Sequence, residues 1–233
     1  MSAAHLPAWA APLLSWLALF ATPRAQGSWG VAFAPANARS PRPPIVYLHG
    51  MWASPEDSCA VFERGATEFG FLVCPRGNAP FGDGNMWSGT YVDAEKQIRP
   101  ALAAAEALAP GKMDQGGDGT LIGYSNGAYF AAEVACAEPG RWSALILLSM
   151  KLHLDATRLR TAGVRRVLLA AGDRDGAQAS MQQVAEELKT GGLDARFMSL
   201  GPGGHPFPVD MADRMVEAIR WARGPALPSE PSE

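Results

Sequence analysis

The sequence predicts one α/β domain, a doubly wound, mostly parallel sheet of about six strands with helices on both faces. Two observations carry this prediction. Short, almost wholly apolar runs alternate along the chain with longer segments of helical periodicity, the pattern of parallel strands covered on both sides. Length and composition, 233 residues with 48% hydrophobic and 18% charged, suit a single globular core rather than a disordered or fibrous chain.

Taken in order, residues 1–26 pose a targeting question. Ala8 to Ala21 is an apolar stretch too short to span a bilayer, followed by Thr22-Pro23-Arg24-Ala25-Gln26. It resembles the apolar region of a signal peptide. Against that, no Lys or Arg precedes it, and Pro23 and Ala25 make a poor cleavage site. The alternatives are an apolar helix packed on the domain or a misplaced start codon. The protein is periplasmic or secreted if the signal is real and cytoplasmic otherwise. Residues 27–44 are rich in Gly, Ala, Pro and Ser and read as a linker or an irregular edge segment, with Trp29–Phe33 the only strand candidate ahead of the core.

The core domain is expected over residues 45–223. Strands are predicted at Ile45–His49, Phe71–Cys74, Thr120–Gly123, Ala144–Leu148, Arg166–Ala171 and Arg196–Leu200, each short and apolar. Helices are predicted around Pro55–Glu68, Tyr91–Leu108, Asn126–Ala137, Gln178–Lys189 and Pro208–Arg223. The last has the clearest period: Met211, Met215, Val216, Ile219 and Ala222 form one stripe against the sheet, with Asp213, Arg214, Glu217 and Arg220 outside. Residues 224–233, with three Pro, two Ser and two Glu, are expected to be a disordered tail. No other stretch is long and apolar enough for a stable membrane span.

Charge and cysteine content narrow the function classes. Lys plus Arg number 20 against 23 Asp plus Glu, a net charge of −3 without a long run of one sign, so nucleic acid is not an expected partner. Cys59, Cys74 and Cys136, with His5, His49, His153 and His205, make no zinc-ligand pattern, and no metal is expected. The odd cysteine count allows at most one intramolecular disulfide, for which Cys59 and Cys74 are close enough in sequence. The alternative is three small buried apolar residues.

The strongest chemical signal is Thr120-Leu121-Ile122-Gly123-Tyr124-Ser125-Asn126-Gly127-Ala128, a strand entering Gly-x-Ser-x-Gly and then a helix. That context holds a serine at the apex of a tight turn beside a helix N-terminus, exposing its hydroxyl. A serine hydroxyl is a weak nucleophile and needs a base and an orienting acid. Two later strand ends supply them: Gly172-Asp173-Arg174-Asp175, and a Gly-rich loop ending in His205. The order serine, acid, histidine is that of hydrolases built this way. Of the two carboxylates, Asp173 directly follows the strand's last Gly and suits a turn cap, whereas Asp175 is placed to reach a base on the next loop. The first core strand ends in His49-Gly50-Met51-Trp52, where backbone N–H groups of Met51 and Asn126 can face a developing oxyanion. His49 is expected to shape this loop rather than act as base.

These residues resemble the α/β-hydrolase fold family over Ile45 to Arg223, and the compact carboxylesterase, phospholipase-like and dienelactone-hydrolase branch of it in particular. The resemblance implies Ser125 as nucleophile, Asp175 as acid, His205 as base, and the Met51 and Asn126 amides as oxyanion hole. It also likens Pro75-Arg76-Gly77 and Met86-Trp87-Ser88 to pocket-lining segments, with Trp52 and Trp87 as substrate-binding walls. Only residues 149–165 separate the fourth and fifth predicted strands, where larger relatives insert a lid, so no cap domain is expected. The implied activity is a cofactor-free serine hydrolase acting on small-molecule esters of short to medium acyl chain. Thioester, lactone or amide cleavage on the same triad, or a catalytically silent binding protein of this fold, are the alternatives.

Overall fold

The computed structural model describes residues 22–36, 39–114 and 116–224. The apolar segment Ala8–Ala21 and the tail from residue 225 onward lie outside the described residues.

All six predicted core strands form, and two more join them. The chain runs β1 (Arg24–Gly27), β2 (Gly30–Phe33), β3 (Pro44–Leu48), α1 (Pro55–Ser58), α2 (Ala60–Thr67), β4 (Phe71–Pro75), β5 (Ala79–Phe81), β6 (Gly84–Met86) and α3 (Tyr91–Glu106). It continues through β7 (Gly119–Tyr124), α4 (Asn126–Ala137), β8 (Trp142–Leu148), α5 (Ala156–Thr161), β9 (Arg166–Ala171), α6 (Gln178–Thr190), β10 (Asp194–Ser199) and α7 (Met211–Arg223). Eight strands among the described residues make one sheet in the order β1-β2-β4-β3-β7-β8-β9-β10. The six from β4 to β10 are parallel, while β1 and β2 form an antiparallel hairpin that extends the β4 edge. The segment expected as a linker or edge is thus an edge, and its pairing begins within the first 26 residues, at Arg24. The fold is the α/β-hydrolase fold, and α5 alone fills the connection where a cap would be inserted.

Strand alternation sends successive side chains to opposite faces, so each face carries its own core. Val46 and Leu48 of β3 pack under α3, α4, α5 and α6, with Ile98, Phe130, Leu159 and Met181. Ile45 and Tyr47 pack under α2 and α7, with Phe62, Met215 and Ile219. The α7 stripe predicted from periodicity is therefore core. The predicted helix over Pro55–Glu68 is broken into two at Cys59, which forms a disulfide with Cys74 of β4 across a Cα separation of 6.0 Å. Cys136 is free. No helix among the described residues is long and apolar enough to cross a membrane.

The strand order reverses at β3, which has β4 on one side and β7 on the other. Loops leaving β3 and β7 part there, which makes the carboxyl ends of these strands the place where such sheets form a site.

Candidate active site

Ser125 stands between β7 and α4 with φ 51° and ψ −121°. A non-glycine residue there is strained by about 1–3 kcal/mol, a cost met only where surrounding contacts fix it. The Ser125 N–H donates to Leu148 O at 2.8 Å, and its carbonyl accepts from the Ala128 N–H at 2.9 Å. The turn is pressed onto the end of β3: a Cβ on Gly127 would sit 2.1 Å from Leu48 O and 2.6 Å from His49 O, so only glycine fits.

The structure brings Ser125, His205 and Asp175 together. His205 Nε2 lies 3.1 Å from Ser125 Oγ, and His205 Nδ1 lies 3.1 Å from Asp175 Oδ2. Assigning the Nδ1 proton toward the carboxylate leaves the Nε2 lone pair for the serine hydroxyl. The acid and base loops are joined through their backbones, with the Asp173 N–H donating to Gly201 O at 2.8 Å and the Arg174 N–H to Gly203 O at 2.9 Å. Asp173 turns away from the histidine and accepts from Ser199 Oγ. The Asp175 side chain is 5% exposed. Burial opposes its charge, but the hydrogen bonds from the Ala177 N–H and His205 help hold its carboxyl below the usual carboxylate range.

Tyr124, immediately before the nucleophile, was not singled out by the sequence. Its hydroxyl donates to the His205 carbonyl at 2.8 Å, and its ring lies 5.3 Å from the imidazole and 4.4 Å from Phe207. Burial, then the Asp175 charge, pushes its phenol up to about 12, so it remains a neutral donor.

The loop after β3 passes beside the nucleophile, since a Cβ on Gly50 would lie 3.3 Å from Ser125 Cβ. His49 is fully buried there. Its Nε2 accepts the Gly77 N–H at 3.0 Å, which puts the ring proton on Nδ1, 2.8 Å from Gly50 O. Burial pushes the His49 pKa down, so it is a neutral brace with no free nitrogen for proton transfer. Asn126 opens α4, and its N–H, like those of any first helical turn, has no partner within the helix. Among the described residues no acceptor engages the Met51 N–H.

Trp87 differs from expectation. It is 1% exposed and cannot wall an open pocket. Its indole N–H donates to His49 O at 3.0 Å and its backbone N–H to Asn126 Oδ1 at 2.7 Å, so it ties the β3 loop to the start of α4. It follows the β5–β6 hairpin, whose Gly82-Asp83 turn was a legible signal. Trp52, by contrast, is 65% exposed, and its ring rests 4.7 Å from Phe81 of that hairpin. Arg76 is engaged by Glu56. Two surface cavities lie elsewhere. One of about 710 Å³ is bounded by Pro23, Pro35 and Leu108, and one of about 420 Å³ is bounded by Asp118, Arg165 and Arg223, both remote from Ser125.

The same architecture recurs in solved structures. An esterase named PE8 is 22% identical, covering 87% of this chain and 98% of its own with a TM-score of 0.61. A carboxylesterase from Mesorhizobium loti is 24% identical over 88% of this chain and 99% of its own, TM-score 0.58. The Bacillus cereus carboxylesterase is 16% identical over 90% and 97%, TM-score 0.60. These likenesses are of fold. No protein-family model matches the chain. No curated protein matches it by sequence.

Proposed function

We propose that the chain is a serine hydrolase cleaving carboxylic esters of short to medium acyl chain through an acyl-enzyme on Ser125. The observation that carries this reading is the continuous relay from Ser125 Oγ through His205 to Asp175, two contacts of 3.1 Å, on a serine held in strained backbone. In this mechanism His205 Nε2 takes the hydroxyl proton as Oγ attacks the ester carbonyl carbon. The carbonyl electron pair moves onto oxygen, which the Met51 and Asn126 N–H groups receive. Asp175 stays ionised and steadies the imidazolium. The C–O bond to the alcohol then breaks, and the alcohol leaves with the proton from His205. Water repeats both steps on the acyl-enzyme and frees the acid. These steps need neither metal nor organic cofactor.

The ester class is supported by the esterase names of structurally similar proteins. The acyl preference is argued from the uncapped site and the exposed Trp52 beside Phe81 as one wall. Ser125→Ala and His205→Ala are each expected to reduce ester turnover to near background, with the double variant adding little, since such residues act as a unit. Additive losses would overturn the relay. Best turnover on long-chain triglyceride emulsions would overturn the acyl preference, and a wild type that turns over no acyl donor would favour a binding protein.

We also propose export to an oxidising compartment, supported by the Ala8–Ala21 segment and the Cys59–Cys74 bond. Because Arg24–Gly27 pairs in register with β2, cleavage is expected ahead of Arg24 rather than after Gln26. The mass of the mature N-terminus tests this, and an intact chain in the cytoplasm would overturn it.

A further inference from the structure

Ser149, the residue after β8, has no part in the steps above, yet three features set it apart. Its φ is 53°, and the other non-glycine residues at positive φ among the described residues are Trp52 and Ser125, both at the proposed site. Glycine would suit that backbone better, so a side chain there has to be explained by what it touches. Second, Ser149 is 2% exposed, and its Oγ is buried without a formed hydrogen bond. A buried hydroxyl left unpaired is costly and rare in folded proteins. Third, its backbone sits where the strands of the relay meet. The Leu148 carbonyl accepts the Ser125 N–H at 2.8 Å, and the Ser149 N–H donates to Ala170 O at 2.9 Å, in the strand that leads to Asp175.

The carboxylate of Asp175 has room for another donor. A carboxylate offers about four acceptor positions. One oxygen takes the Ala177 N–H at 2.9 Å and the other faces His205 Nδ1 at 3.1 Å. Leu148, the residue before Ser149, pairs with Ala170 of β9, whose continuation carries this carboxylate, and the Ser149 hydroxyl contributes to lowering the Asp175 pKa.

We propose that Ser149 is a positioning residue for the acid of the relay: its hydroxyl donates to the Asp175 carboxylate, aiming it at His205 and limiting its basicity. The inference rests on the relay proposed above. The donor is not needed to order the resting turn, which the backbone bonds hold. It closes onto the carboxylate as the imidazolium forms and the ion pair tightens. The other charged and titratable groups around the relay are Tyr124, which stays neutral, and Asp173 and Arg174, which are turned to Ser199 Oγ and Pro202 O.

Without this donor Asp175 becomes a stronger base and pulls harder on the imidazole proton. Ser149→Ala is therefore expected to move the acid limb of kcat/KM upward by roughly half a pH unit. It should also lower kcat by roughly two- to tenfold, the effect of one hydrogen bond, with KM little changed. Ser149→Gly removes the same hydroxyl while relieving the backbone, so it should show the same pH shift without loss of Tm. A purely structural serine would give the reverse, a changed Tm in Ser149→Ala and a fixed acid limb in both variants, and that result overturns the proposal. Ser125→Ala measured alongside separates the two levels: if it keeps turnover, the relay and this inference fall together. An inactive Ser125→Ala with an unmoved acid limb in both Ser149 variants removes this inference alone.

Discussion

Replacing Cys59 and Cys74 together with alanine removes the one disulfide among the described residues. The cross-link closes a segment of sequence separation 15. In the loop-entropy account, such a loop restricts the unfolded chain by about 3 kcal/mol. Both cysteines are buried, at 1% and 0% exposure, so alanine leaves small gaps in the core that holds Phe62 and Leu72, which add to the loss. For a domain of this length each kcal/mol moves Tm by about 2–4 °C, so the double variant should melt about 6–12 °C lower. The assay is thermal unfolding by circular dichroism of oxidised wild type and double variant, with free thiols counted under denaturing conditions. Activity well below Tm should be little changed, because the relay loops leave β7, β9 and β10 and the bond joins the α1–α2 junction to β4. A wild type with its thiols oxidised and a Tm within about 2 °C of the variant would refute the reasoning, since a closed loop of that size must cost the unfolded chain entropy.

Three further outcomes follow from the site and its supports. Asp175→Asn should lose orders of magnitude in kcat, by analogy with the roughly 10⁴ cost of such a change in related triads. Asp173→Asn should lose less than about tenfold, one hydrogen bond's worth, and a larger loss at Asp173 would move the acid by two residues. Tyr124→Phe deletes the 2.8 Å bond to the His205 carbonyl and should lower kcat roughly two- to tenfold while leaving KM unchanged; equal kcat in both proteins would remove its positioning role. The third concerns stability. Burial and the adjacent Glu95 push the Glu138 carboxyl up to about 7, above its ordinary value of 4.5. The folded state then binds more protons than the unfolded one between those values, so stability falls as pH rises from about 4.5 and levels off above about 7. The lowered pKa of buried His49 contributes in the opposite sense below its ordinary value of 6.5, so the assignment is read from a difference: between pH 5.5 and pH 8, Tm should change less favourably in the wild type than in Glu138→Gln, and an equal change in both proteins would contradict it.

The parts of the fold that are legible in the sequence are those whose signal is local. Five of the six parallel strands are largely apolar runs because both of their faces are covered, β10 at the sheet edge is only partly buried, and α7 declares itself by a stripe facing one side of the sheet. Arg24–Gly27 gives no such signal: as an edge strand it is only half-buried, and its polar residues read as the end of a leader. The β5–β6 hairpin has strands of three residues, too short for alternation to register, and only its turn is informative. The same division runs through the site. Ser125, Asp175 and His205 each stand at a strand end with a recognisable loop, so their approach is foreseeable. Trp87 looks like a surface aromatic in a Gly-rich loop, and only the packing of that loop against His49 and Asn126 buries it. Tyr124 and Ser149 lie beside foreseeable residues, but what they do depends on which strand lies next to which. The contact proposed between Ser149 and Asp175 depends on β8 and β9 being neighbours, and nothing in the local sequence states that adjacency.

The most direct measurement is labelling by a fluorophosphonate probe, read as adduct mass on the Ser125 peptide. Such a reagent needs a serine made nucleophilic by its base and an oxyanion pocket, and it needs no knowledge of the natural ester. The account predicts a single adduct on the Ser125 peptide of the folded wild type, lost in Ser125→Ala and strongly slowed in His205→Ala. Absence of an adduct on folded protein, or equal labelling when His205 is replaced, would contradict it.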